Sequence, residues 1–421
     1  MLKSLSMTGV GPAAEMSIEF APRLNVLTGD NGLGKSFLLD MAWRGLTGSW
    51  ARGVMPLPRP DWMGQRNGTL LFTLEPRNYS RQLSRLTFAP SDYEWKVAPE
   101  QRSPGVVIYA GVDGDFLVSD AVRSVPNAGP SDEPEESGTF HLTADQVWRG
   151  KSALNGKRYC NGLIQDWVSW QKGGDSAFAE LTRVLEALSP SPTETLRPGK
   201  PVHIDLVDET EHPTIEMAYG ETVPLVFASA GVRRIAALAY ILVWTWKAHS
   251  RASGQRGRPP AVEIAFLVDE VESHLHPQWQ RRVVPALLGV MNAMKLDVAV
   301  QLILATHSPL VMASIESNFD PDKDALFHLE LRERKAVLEK VEWAKQGDAT
   351  NWLVSESFGL KQARSIEAER AIEAAEAFMR GESTKTKSDL DAELRRVLAG
   401  HDDFWPRWVV ATHPELAGPK G

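Results

Sequence analysis

Residues 29–36 read Gly-Asp-Asn-Gly-Leu-Gly-Lys-Ser, the spacing G-x-x-x-x-G-K-S, between an apolar run (Leu24 to Thr28) and an apolar helical pattern opening at Phe37. That context constrains the chain to a strand, a tight loop and a helix, and therefore to an α/β fold with the loop at a strand end. Glycine lets consecutive backbone N–H groups turn inward on an anion, and the helix that follows adds its positive end. On this spacing Asn31, Gly32 and Gly34 cradle nucleotide phosphates, Lys35 reaches the β and γ phosphates, and Ser36 takes a place on Mg2+.

The rest of the composition is permissive. A 421-residue chain, 43% hydrophobic and 24% charged, can bury a large core. A net charge of −8 argues against a wholly basic nucleic-acid binder but allows a local basic face. The start of the chain lacks a signal-peptide apolar core, and the longest apolar run, Ile235 to Trp246, is too short to span a bilayer, so a cytoplasmic protein without membrane spans is expected. A single cysteine, Cys160, excludes an internal disulfide and a cysteine-based metal cluster.

Along the chain, alternating runs at Leu2 to Val10 and Met16 to Phe20 read as strands, and Thr69 to Leu74, Leu83 to Phe88 and Val106 to Tyr109 read as an antiparallel layer. Residues 124–138 read as an exposed loop. Helical spacing from Asn161 to Leu188, broken at Gly173-Gly174, reads as a helical insertion without coiled-coil heptads. The stretch from Arg251 to Pro260 reads as a flexible basic loop, with Arg251, Arg256 and Arg258 either solubilising it or touching DNA phosphates. The tail has helical patterns at Ile366 to Met379 and Leu390 to Leu398, ending in an aromatic and arginine-rich segment near Trp405 and Trp408.

Three further segments carry chemistry. Ala261 to Val268 is an apolar strand ending in Asp269-Glu270; beside a P-loop the first carboxylate serves the metal and the second an attacking water. Ser229 and Gly231 stand where an apolar helix begins, a second anion site. Val300 to Ala305 delivers Thr306-His307-Ser308-Pro309, placing a histidine where a γ phosphate or attacking water can be hydrogen-bonded. His274 and His276 stand close enough to suggest a metal, and Asp320 to Asp324 begins like a calcium loop, but Ala325 and Leu331 occupy positions where that loop needs Gly and Glu, so it reads as a solvated turn.

In order and spacing these segments resemble the ATP-binding-cassette class of ATPases. Asp269-Glu270-Val271-Glu272-Ser273-His274-Leu275-His276-Pro277 and Thr306-His307-Ser308-Pro309 are similar to the corresponding runs of its RecF, SMC and OLD-like branch, within the AAA family. Val271 stands where the branch has proline, and the short Ser-Ala-Gly signature is unlike that of transport cassettes; Gln65 is a weak candidate for the Q-loop glutamine. The resemblance implies an ATPase head with an antiparallel β lobe, a mixed, largely parallel core sheet and a helical insertion. It divides the chain into 1–120 (P-loop part), 121–200 (linker and insertion), 201–345 (signature, Asp-Glu strand and switch histidine) and 346–421 (helical tail, for packing or partner docking).

The resemblance further implies ATP and Mg2+ as cofactors. Glu270 and His307 are then catalytic, Asn31, Gly32, Gly34, Lys35, Ser36, Ser229 and Gly231 bind ATP, and Ser36 and Asp269 hold Mg2+. Two copies close head to head around ATP, the Ser229 helix of one over the P-loop of the other. Relatives with short insertions include ATPases of bacterial antiviral systems of the Septu, retron-associated and PARIS types, which partner a separately encoded nuclease or toxin. A RecF-like repair ATPase that engages DNA and a scaffold with structural ATP are the alternatives.

Overall fold

Two kinds of apolar patterning sort the chain into two main sheets. The computed structural model describes residues 1–60, 63–77, 80–98, 105–124, 137–153 and 155–412. β1 (Leu2–Thr8), β2 (Glu15–Glu19), β4 (Thr69–Leu74), β5 (Gln82–Ala89) and β6 (Glu94–Ala98) form a five-stranded antiparallel sheet in the order β2-β1-β4-β5-β6. Its strands alternate as one-faced sheets do: Ser84, Leu86 and Phe88 of β5 are buried and their neighbours are not.

Strands buried at nearly every position form the middle of the second sheet. β3 (Leu24–Gly29), β7 (Val106–Ala110), β17 (Glu263–Val268) and β18 (Ala299–Ala305) lie in its middle, with β8 (Phe116–Asp120), β9 (Thr139–Leu142), β19 (Asp324–Arg332) and β20 (Lys335–Val341) towards its edges, in the order β20-β19-β3-β18-β17-β7-β8-β9. Pairing is parallel from β19 through β7 and antiparallel at both margins. Val106 to Tyr109, expected in the antiparallel layer, instead runs parallel to β17 in the core sheet. Burial of all five β7 residues is the reason, since a strand covered on both faces does not alternate.

α1 (Lys35–Thr47) packs against strands of both sheets, and Trp43, Phe72, Tyr109, Leu267 and Ile303, all fully buried, share one core there. Between β9 and β17 the chain forms α2 (Ala144–Arg149), the hairpin β10 (Lys151–Ser152) and β11 (Arg158–Cys160), α3 (Leu163–Gly173) and α4 (Ser176–Ala187). Small antiparallel pairings of β12 (Arg197–Pro198), β13 (Val202–His203), β14 (Glu211–His212), β15 (Thr214–Glu216) and β16 (Thr222–Pro224) follow. The break expected at Gly173-Gly174 separates α3 from α4, with Gly174 in the left-handed region at φ +62°. α5 (Ala230–Gln255) is longer than its apolar pattern suggests, so Arg251 sits on a helix and not in a loop.

α6 (Pro277–Gln280), α7 (Val283–Ala293) and α8 (Pro309–Ile315) complete the connections around β18. The turn at Asp320 to Asp324 is not solvated throughout: Asp324 is buried, and its carboxylate accepts Arg23 Nε at 2.8 Å and the Asp320 N–H at 2.8 Å. Most of the loop expected over 124–138 lies outside the described residues. No helix among the described residues is long and apolar enough to cross a membrane.

The chain divides into two compact units, Met1–Ala349 and Thr350–Gly421, with α9 (Ala349–Leu353) at the division. In the second, α10 (Ile366–Met379), α11 (Lys387–Val397) and α12 (Phe404–Thr412) bury Ile372, Leu390, Leu394, Phe404 and Trp408 against one another.

Candidate nucleotide site

β3 ends at Gly29, and the loop it feeds turns into α1 at Lys35. Two glycines are required by sterics. A Cβ at Gly29 (φ +127°) would lie 1.9 Å from the Leu329 carbonyl oxygen of the adjacent β19, and one at Gly34 (φ +98°) would lie 2.8 Å from the Pro12 ring. Asn31 and Gly32 are exposed at the loop tip. Lys35 is buried, and its amine donates to the carbonyls of Gly29 at 2.7 Å and Asp30 at 2.8 Å. Burial pushes its pKa below the ordinary lysine value, against the opposing pull of Asp269, Asp30, Glu270 and Glu272.

β17, two strands from β3 with β18 between them, delivers Asp269, whose N–H bonds the Ala110 carbonyl at 2.9 Å. Asp269 is 5% exposed; burial pushes its pKa up and Glu270 adds to the shift, while the neighbouring Ser36 hydroxyl opposes it. The two proposed metal donors thus meet across the space between P-loop and strand end. They supply hard oxygens, the donor type that suits Mg2+. A third carboxylate, Asp40, lies one helical turn beyond Ser36; burial raises its pKa and Asp269 contributes, while Arg52 opposes. Arg52 Nη1 reaches Asp40 at 3.3 Å and Arg52 Nε donates to Asp115 at 2.8 Å.

Glu270 adopts a left-handed backbone, φ +46°, uncommon for a residue with a Cβ, and its carboxylate accepts the Ser273 hydroxyl at 3.4 Å. Two residues on, Glu272 turns to the switch loop: it accepts the Thr306 hydroxyl at 2.8 Å and the His307 backbone N–H. The Val271 N–H bonds the Ala305 carbonyl at 3.3 Å, and the Ser308 hydroxyl donates to Gln280 at 2.7 Å. These bonds tie the loop carrying Glu270 to the loop carrying His307. Burial, then the Lys35 charge, lowers the His307 pKa, so the ring is held neutral.

Lys35, Asp269, Glu270 and His307 therefore share one electrostatic neighbourhood. Ser229 and Gly231 do not share a hydrogen bond with the P-loop among the described residues. Ser229 is exposed at the start of α5, its hydroxyl accepting the Val232 N–H at 3.3 Å. Gly231 packs against the loop after Glu270, where a Cβ would lie 3.0 Å from the His274 carbonyl oxygen. His274 is left-handed at φ +62°, and His276 caps α6.

Two residues gain a place only in three dimensions. Glu272 holds the switch loop, and the signal for it is a second glutamate two positions after the Asp-Glu pair. Arg234, one turn into α5, donates to the Val112 carbonyl at 3.0 Å and to the carbonyls of Asp269 and Glu270 at 3.5 Å each. It links the Ser229 helix to the backbone that bears Glu270, and nothing in its local sequence marks it.

Residues 140–313 match the family described as AAA domain, putative AbiEii toxin, Type IV TA system. A segment of 51 residues is 41% identical to the Retron Vc95 probable ATPase of Vibrio cholerae serotype O1 biovar El Tor, covering 12% of this chain and 9% of that relative. The SMC head domain from Thermotoga maritima is similar at 14% identity and a TM-score of 0.41, over 81% of this chain and 99% of that one. The recombination mediator protein RecF-ATPrS of the RecFOR pathway is similar at 14% identity and a TM-score of 0.39, over 81% of this chain and 98% of that one.

Proposed function

We propose that this chain, an AAA/ABC-type P-loop ATPase related to the RecF- and SMC-like branch, binds ATP with Mg2+ and hydrolyses it between two copies closed head to head. One observation carries this reading: Lys35, Asp269, Glu270 and His307 converge from separate elements on one site, while Ser229 stands exposed at the start of α5, free to meet the nucleotide of a second copy.

In this reading Asn31, Gly32, Gly34 and Lys35 hold the phosphates, and Ser36 and Asp269 offer oxygens to the metal. Bound Mg2+ would neutralise charge on the transferring phosphoryl group. The Glu270 carboxylate accepts the proton of the attacking water, and neutral His307 orients that water or the γ phosphate. Ser229 and Gly231 of the second copy close the site, so the γ phosphate biases an equilibrium between separate and paired copies. Residues 1–120 and 201–345 make up the ATPase head, 121–200 is its linker and helical insertion, and 346–421 is a helical tail for packing or partner docking.

The local likeness to a retron ATPase favours a role in bacterial antiviral defence, in which the paired state controls a separately encoded nuclease or toxin. Phosphate release from ATP by the wild-type protein, abolished in Lys35→Ala, is the expected result. Tight ATP binding with no release by the wild type would overturn hydrolysis in favour of a scaffold that uses ATP structurally.

A further inference from the structure

A second polar hollow lies at the far end of α5, where Arg251 is roughly 33 Å along the helix from Ser229 at 1.5 Å per residue. It holds about 300 Å3, enough for a single nucleotide-sized ligand and too little for a duplex. Its walls carry Arg158, Lys247 and Arg251 together with Tyr159, Trp170 and Trp244.

The acids nearby are already engaged. Asp166, in the floor, accepts the Tyr240 hydroxyl at 2.8 Å and the Asn161 amide at 2.8 Å, and burial raises its pKa. Lys247 pairs with Asp175. Arg158 is steadied by neutral oxygens, the Asn161 carbonyl at 3.1 Å and Gln165 Oε1 at 2.7 Å, and its charge acts on Asp166 without a direct ion pair among the described residues. Arg251 is exposed and has no ion pair among the described residues.

Behind the wall, Arg123 stacks 3.9 Å from the Phe140 ring centroid and 4.8 Å from that of Trp244. Its Nη1 is buried with no hydrogen-bond partner among the described residues. The carboxylate facing it, Asp120, engages His249 at 3.0 Å and the Val122 N–H at 3.0 Å through Oδ1, while its Oδ2 is buried with no hydrogen-bond partner among the described residues. Burial pushes the Arg123 pKa down to about 10, and Arg251 adds to that against Asp120. With Lys247 paired to Asp175, the three guanidiniums of Arg123, Arg158 and Arg251 stand against two carboxylates, Asp120 and Asp166, which leaves the concavity positive.

We propose that this hollow is a second, phosphate-directed site that takes one nucleotide unit, its phosphate on Arg158 and Arg251 and its ring beside Tyr159, the partly exposed aromatic of the wall. Stacking surface with cations is the pairing that single nucleotides and single strands recognise, whatever the base. The unit is supplied by a free mononucleotide or by a single strand.

The test uses the full chain and fluorescence polarisation of a labelled ten-nucleotide single-stranded DNA, with thymidine monophosphate as competitor. Wild-type and Lys35→Ala proteins are expected to bind the oligonucleotide alike, since the P-loop is not involved. Arg158→Glu/Arg251→Glu is expected to bind at least about tenfold more weakly and to flatten the salt dependence by roughly 0.7 log units for each phosphate it no longer holds. Retention of ATP-analogue fluorescence at the P-loop shows that this variant is folded. Competition by the monophosphate assigns the site to a free nucleotide, and binding of the oligonucleotide alone assigns it to a strand. Unchanged affinity in the double variant, or no binding of either probe by the wild type at millimolar concentration, overturns the proposal.

Discussion

The Glu272 carboxylate accepts the Thr306 hydroxyl at 2.8 Å and the His307 backbone N–H, so one half-buried side chain fixes the His307 backbone from the opposite loop. Burial raises the Glu272 pKa, while these donors favour the charged form. Glu272→Gln keeps the size and one acceptor oxygen but loses the charge. Its kcat for ATP should fall on the order of tenfold to a hundredfold, ~1.4–2.7 kcal/mol, through a displaced His307. The dissociation constant of a fluorescent ATP analogue should stay within about threefold. An equal loss in kcat and affinity would mean that Glu272 only maintains the fold.

Among the described residues Glu270 has one side-chain partner, Ser273 at 3.4 Å, which leaves the carboxylate available to a water. Glu270→Gln removes the proposed general base, a change that typically costs on the order of a hundredfold to ten-thousandfold in rate. ATP bound to this variant should persist, and light scattering should show twice the 46.5 kDa of one chain in ATP with Mg2+ and a single chain without. A variant that stays a single chain under ATP would sink the shared-site reading.

Asp269 is a buried carboxylate held next to Glu270, with its pKa raised. A raised carboxyl pKa means that the folded state binds a proton more tightly than the unfolded one, so stability is fullest at low pH and is lost as pH rises through the folded value. At neutral pH the ionised Asp269 therefore opposes folding until a cation arrives. Asp269→Asn should raise the Tm of the nucleotide-free protein at pH 7 and abolish the further rise that Mg2+ with ATP gives the wild type. A Tm that falls without nucleotide and still rises with Mg2+ and ATP would contradict this.

His307 carries the opposite sign. Burial and Lys35 lower its pKa below the ordinary 6.5, so the ring stays neutral to lower pH than in the unfolded chain. Stability is then lost as pH falls from about 6.5 towards the folded value. A ring-proton NMR titration, with the His307 signal assigned through His307→Gln, should place the midpoint below 6.5. Lys35→Met should move it upward by removing the second cause. A midpoint above 6.5 in the wild type would show that the ring gains an acidic partner instead.

Much of this site is legible in the sequence because its residues stand at strand ends, where apolar runs stop abruptly at Gly29, Asp269 and Thr306. Those positions stand out by contrast with their neighbours, and α10 occupies Ile366–Met379 as its helical periodicity predicts. Arg234 and Glu272 are harder to read because their partners are backbone groups or residues dozens of positions away, and no local pattern encodes a long-range acceptor. β7 differs from its expected place because a short apolar run looks alike whether it sits in a one-faced or a two-faced sheet; only its neighbours decide. α5 outruns its apolar pattern because the polar residues after Trp246 do not end the helix: the buried side chains of His249 and Ser253 extend its packing face.

The Lys35 amine, folded onto the carbonyls of Gly29 and Asp30, gives the loop an internal stopper. Any arriving molecule must outcompete two short hydrogen bonds, and only a strongly anionic chain of oxygens does so. A nucleoside without phosphates has nothing to exchange for the amine. On the proposed function, discrimination among adenosine, AMP, ADP and ATP would be set first by phosphate count, before the base or the sugar is read.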